Sequence, residues 1–210
     1  MAASAPAART IEPEPAEWQV RLIRLSGRLM CGGITFFFVS FLFAYFYLRA
    51  LDLNHGWKVG PVHPAHGLGI SIMALFLASG VFYRLAARRP EVGEVAAGVL
   101  AVLLGLAAVG LQCYEYTILD FGPASGAYAS VFYGWTVFYA FFALFGLYAI
   151  EVQTATLWRQ RTGRQVQRPP QEVPRGEPEV LLAGVDSTSF YWAYYVAIGV
   201  LTWIILYLVG

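Results

Sequence analysis

Formal charges are absent from five long stretches of this 210-residue chain and crowd into the segments between them. Arg28 and Arg49 bracket twenty uncharged residues, LMCGGITFFFVSFLFAYFYL. A helix of about 20 apolar residues crosses ~30 Å of hydrocarbon. Similar stretches follow, and together they predict spans at about 29–48, 67–83, 95–114, 131–150 and 190–209. The expected fold is therefore all-α and integral to a membrane, a five-transmembrane-helix bundle over residues 29–210.

The basic residues are sorted between alternate segments. Four precede the first span (Arg9, Arg21, Arg24, Arg28), two lie in the first loop (Arg49, Lys58) and three in the second (Arg84, Arg88, Arg89). The third loop has none, the fourth has five (Arg159, Arg161, Arg164, Arg168, Arg175) and the tail has none. Twelve against two predicts the N-terminus inside and the C-terminus outside.

Residues 1–28 are expected to form a disordered, then interfacial, cytoplasmic N-terminus. Arg21, Arg24 and Arg28 fall on one helical stripe, and Trp18, Leu22 and Leu25 on another. A frayed extension of the first span is the alternative. The opening residues lack the basic start and short apolar run of a signal peptide, so the first span is expected to remain as an anchor. Segment 151–186 holds five arginines and four prolines and is predicted to be a mobile cytoplasmic loop.

At 58% hydrophobic and 13% charged, the chain is too apolar for an ordinary soluble domain. Its basic residues form no groove that could follow a phosphate backbone, so nucleic acid is not an expected partner. Cys31 and Cys113 fall at opposite ends of their spans, too far apart for a disulfide, and are expected to be small buried apolar residues. All three histidines (His55, His63, His66) sit in the first loop, where Pro64 interrupts any helix that would align the last two. No metal ligand set is expected there.

Ala97, Ala101 and Gly105 recur every four residues in the third span and predict close helix packing, against this chain or a partner subunit. Trp135, Phe138, Phe142 and Phe145 form an aromatic stripe in the fourth span, expected to pack in the core. No histidine follows His66, and no CxxCH motif occurs. The chain is thus expected to bind no haem or copper. Glu115 and Glu151 fall at span ends, which points away from an ion-coupled path. An accessory membrane subunit without chemistry of its own is the direct reading.

Several segments resemble subunit III of the haem-copper oxidases, in its five-helix bacterial form. FAYFYLRA (Phe43 to Ala50) is similar to the end of the family's corresponding helix, and QCYEYTIL (Gln112 to Leu119) to its Gln-x-Tyr-Glu-Tyr segment. AYASVFYGWT (Ala127 to Thr136) resembles the start of the next helix, and SFYWAYY (Ser189 to Tyr195) that of the last. The resemblance departs at the family's ionisable positions: Ile34 stands for a buried Glu, and Tyr139, Ala140, Phe141 and Phe142 stand for His-Gly-x-His. Ala193 and Val196 stand for a His and an Asp.

The resemblance implies a non-catalytic subunit of a terminal oxidase in the bacterial cytoplasmic membrane. Haem and copper would then reside in the partner catalytic subunit I, and membrane phospholipids would be further partners. Candidate contact positions are Ala97, Ala101, Gly105, Glu115, Tyr116, Trp135, Phe138 and Phe142, with Gly32 and Gly33 beside them. For Glu115 and Tyr116 a structural role, bonding a helix end or a neighbouring loop, is expected. The alternatives are a nitric oxide reductase accessory subunit of the same family and a small lipid-handling or transport protein.

Overall fold

The computed structural model describes residues 15–52, 56–60, 62–88, 94–163 and 178–209. Five helices account for nearly all of them: α1 (Ala16–Ala50), α2 (His66–Arg88), α3 (Glu94–Ile118), α4 (Ala127–Arg161) and α5 (Pro178–Trp203). A π-helical turn, Ile204–Val209, continues α5. The described residues contain no strand. All five helices are long and apolar enough to cross a membrane.

Neighbouring helices in the bundle follow the order α1, α5, α2, α3, α4, with α4 also touching both α1 and α5. The most extensive packing joins α2 to α3 and α1 to α5. Small residues set these approaches. A Cβ at Gly98 would overlap the Thr154 side chain, and one at Gly105 would overlap Leu147, so α3 lies directly on α4. Gly146 admits the Trp192 ring, whose nearest atoms would lie 2.7 Å from an added Cβ.

The helices overrun the uncharged stretches. At 1.5 Å per residue, the 35 residues of α1 extend about 50 Å, well beyond the hydrocarbon core. α1 begins at Ala16 and not at Leu29, so residues 16–28 extend the first span in place of a separate interfacial helix. Ile23 and Gly27 face α5, where Ser187 Oγ donates to the Ile23 carbonyl at 2.8 Å, while Arg21, Arg24 and Arg28 stay exposed.

Likewise α4 runs on to Arg161 and α5 starts at Pro178, which shortens the loop expected at 151–186. A charge marks where a helix leaves hydrocarbon, whereas Glu, Gln, Leu and Arg sustain a helix beyond it. Gly163, at φ +65°, follows the end of α4 in the left-handed conformation suited to glycine. The expected disorder at residues 1–14 and the remainder of that loop, 164–177, lie outside the described residues.

Candidate functional site

The C-terminal ends of α1, α3 and α5 meet the N-terminal ends of α2 and α4. At this end Trp57 is buried, and the Gly56 and Trp57 carbonyls accept the backbone N–H groups of Ala127 and Tyr128 at 3.3 and 2.9 Å. Those bonds satisfy two of the N–H groups that a helix start leaves open. Gly126, at φ +118°, makes the turn into α4.

Beneath this cap, Glu115 is completely buried. Its Oε2 accepts from Gln112 Nε2 at 2.8 Å, one turn earlier on α3, and from Tyr207 Oη at 2.6 Å on the π-helical turn. The Ala65 backbone amide also faces the carboxyl group, although Oε1 accepts no hydrogen bond of normal geometry. One side chain thus connects α3, the π-helical turn that continues α5 and the start of α2.

Tyr207 reaches Glu115 because Gly69 of α2 leaves room for its ring; a Cβ there would overlap it. The π-helical turn is held at two further carbonyls. Tyr128 Oη donates to the Leu206 carbonyl at 2.5 Å, and Arg49 Nη1 donates to the Val209 carbonyl at 2.8 Å. Such turns displace one residue from the α-helical register and recur at functional sites. Here the displacement coincides with the bonds from α1, α3 and α4.

Tyr116 points the other way, donating to Thr136 Oγ1 at 2.9 Å, and Thr136 donates to the Phe132 carbonyl at 2.7 Å. Glu115 and Tyr116 therefore tie α3 to different neighbours. Ala101 and Gly105 are buried inside the bundle, Ala101 beside Ser79 and Gly105 beside Leu147. The neighbour on this seam belongs to the chain itself, so neither residue is open to a partner. Ala97 lies off the seam and is half-buried.

The aromatic stripe separates into two environments. Trp135 is buried, Phe142 is half-buried and Phe138 and Phe145 are exposed at the bundle surface. Phe138 and Phe142 pack edge-on against Phe37 of α1, with centroids 5.1 and 5.0 Å apart, and Phe41 stacks on Trp135 at 6.0 Å. Deeper in the core, Tyr139 stacks on Tyr195 at 4.5 Å, and Tyr195 Oη bonds the Tyr139 carbonyl. Ser79 accepts from Trp192 Nε1 at 3.0 Å and donates to the Ala101 carbonyl at 2.7 Å.

At the family's ionisable positions this core is apolar or aromatic: Ile34 and Val196 are buried, and Tyr139 is occupied with Tyr195. Gly32 and Gly33 are exposed on α1. Cys31 is buried, but Cys113 is exposed, contrary to the expectation of burial for both, because it follows the buried Gln112 by one residue and so is turned about 100° away from the buried face of α3. His63 and His66 are exposed, and among the described residues no cluster of metal-ligating side chains occurs. A concavity of about 470 Å³, lined by Ile23, Gln153, Arg159 and Leu181, lies at the opposite end of the bundle.

Sequence reasoning singled out Glu115 and missed Tyr207, Tyr128 and Ala65 as its surroundings. A tyrosine near a span end reads as an interfacial aromatic, and only the π-helical register turns Tyr207 inward. The arrangement has no nucleophile paired with a base; what it can do is fix three helix ends relative to one another.

No protein-family model matches the chain. Two curated relatives do, each with the name cytochrome c oxidase subunit 3: those of Branchiostoma lanceolatum and Branchiostoma floridae. Both are 29% identical over 120 residues, covering 53% of this chain and 46% of the relative. The chain spans about half the length of the curated relatives it matches. The similarity supports a divergent relationship to that subunit, and both relatives are metazoan.

Proposed function

We propose that this chain is an accessory subunit of a haem-copper terminal oxidase, related to subunit III and acting as a scaffold for the catalytic subunit. The observation that carries the reading is the match to two cytochrome c oxidase subunit 3 chains. Its support in the structure is the Gln112, Glu115, Tyr116 segment, whose three side chains are all engaged at helix junctions. A bundle pinned in this way presents a fixed outer face to a partner, the property a scaffold needs.

On this reading haem and copper belong to the partner, and oxygen chemistry takes place there. The exposed side of α1, with Gly32, Gly33 and Phe36, is the face offered to the catalytic subunit or to phospholipid. The excess of basic residues at the ends of α1, α2 and α4 supports an N-terminus on the cytoplasmic side, and on this reading the membrane is a bacterial cytoplasmic one. Deleting the gene should lower the amount of assembled oxidase and the oxygen consumption of membranes. Full oxidase levels in the deletion would refute the scaffold role.

A specific observation favours a second reading. Ile34, Tyr139, Phe142, Ala193 and Val196 replace every intramembrane ionisable group of the resembled pattern. A nitric oxide reductase accessory subunit of the same family would tolerate that loss. Its signature in the same deletion strain is impaired nitric oxide consumption with intact oxygen respiration.

A further inference from the structure

Two cations stand together at the Glu115 end of the bundle, and among the described residues neither is hydrogen-bonded to an anion. Arg49 is the first charged residue after the twenty uncharged residues of α1, and its guanidinium carbon lies 6.0 Å from the centre of the buried Tyr45 ring. Lys58 Nζ lies 4.8 Å above the buried Tyr128 ring. Trp57 joins the two supports, with its centroid 5.0 Å from Tyr45 and 5.6 Å from Tyr128. The cations therefore stand on one rigid aromatic base.

Arg49 uses Nη1 for both of its hydrogen bonds, to Tyr45 Oη at 3.2 Å and to the Val209 carbonyl. Among the described residues its other N–H groups and the Lys58 ammonium have no hydrogen-bond acceptor. Asp52, the acidic residue nearest in sequence, accepts the Trp57 backbone N–H at 3.0 Å and pairs with neither cation. Lys58 also stands over the first turn of α4, where the helix dipole adds positive potential. Burial and the Arg49 charge both lower the Lys58 pKa, the sign expected of a cation that lacks a counter-ion.

We propose that Arg49 and Lys58 form a phosphate site and that its ligand is the headgroup of a membrane phospholipid. Arg49 ends the uncharged stretch of α1, which puts the pair at the hydrocarbon boundary, beside the plane of lipid phosphates. The free fork of the guanidinium suits two phosphate oxygens, and the ammonium supplies a point charge. Tyr45, Trp57 and Tyr128 are buried beneath the pair and hold the two cations in place from the protein side. The site depends on the membrane reading and is independent of which complex the chain serves.

The test is native mass spectrometry of the full chain, with any subunits that copurify, after delipidation and titration with phosphatidylglycerol. Lys58→Gln is the principal variant, because Lys58 donates no hydrogen bond within the described fold and its loss leaves the helix contacts in place. One basic residue at an anionic surface corresponds to about fivefold in affinity, so the wild type should retain the lipid about fivefold better than the variant. Retention unaffected by millimolar inorganic phosphate assigns the ligand to lipid. Displacement by inorganic phosphate, lost in the variant, overturns the lipid source in favour of free phosphate. Equal retention in both proteins overturns the site and leaves the cations to an acidic side chain of a partner subunit.

Discussion

Replacing Glu115 with Leu removes the acceptor shared by Tyr207 and Gln112 while keeping a side chain of similar length. Tyr207 Oη and Gln112 Nε2, now 2.6 and 2.8 Å from Oε2, would be left as buried donors. An unsatisfied buried donor costs about 1–3 kcal/mol, although interhelical hydrogen bonds in membrane proteins average nearer 0.6 kcal/mol. Two such groups give an expected loss of about 2 kcal/mol, or about 4–8 °C in Tm on the scaling for chains of this length.

Thermal unfolding followed by tryptophan fluorescence suits the purpose, since Trp203 stacks on Tyr207 with centroids 6.3 Å apart. Glu115→Gln keeps one acceptor and should lose less than half as much. A double-mutant cycle of Glu115→Leu with Tyr207→Phe should show coupling of at least about 0.5 kcal/mol, because both changes delete the same bond. Additivity of the two losses, or a Leu variant as stable as the wild type, would refute the account of Glu115 as the pin between α3 and the end of α5.

Gly105→Leu drives a side chain into Leu147 of α4 and should cost about 1–3 kcal/mol, read as a lower Tm or loss of folded protein in mild detergent. Ser79→Ala preserves volume but strands Trp192 Nε1, and should lower stability by about 1 kcal/mol in the same assay. Cys113 is exposed and Cys31 buried, so a membrane-permeant maleimide should label Cys113 much faster, as seen by mass spectrometry of the intact chain. Alkaline phosphatase fused after Val209 should be active and a fluorescent protein fused there dark, if the basic helix ends face the cytoplasm.

The five helices were legible because hydrocarbon imposes one length and excludes charge, so the long uncharged runs located every span. Helix ends were not: Arg24, Arg28 and Glu151 mark the edge of the apolar zone, and α1 and α4 continue through them. The small-residue seam was half legible. A strict four-residue spacing drifts about 40° per step around a helix with 3.6 residues per turn, which carries Ala97 away from the line through Ala101 and Gly105. The buried line, Gly98, Ala101, Gly105, Ala108, Gln112 and Glu115, alternates steps of three and four.

The aromatic stripe shows the same geometry. Trp135 lies at the edge of the buried face of α4, whereas Phe138, Phe142 and Phe145 rotate away from it by up to about 80°. They reach α1 or the surface, since lipid accepts aromatic rings as readily as a protein core does. Glu115 stood out in the sequence as a carboxylate at a span end. Its bonding could not be read there, because Tyr207 and Ala65 lie far from it along the chain and converge only through the fold.

The central claim is that this bundle serves a haem-bearing complex. The most direct measurement is purification of the tagged chain in mild detergent, followed by a reduced-minus-oxidised optical spectrum and mass spectrometry of the copurifying proteins. The account predicts haem bands together with a larger, histidine-rich membrane subunit. A colourless preparation containing this chain alone would contradict it.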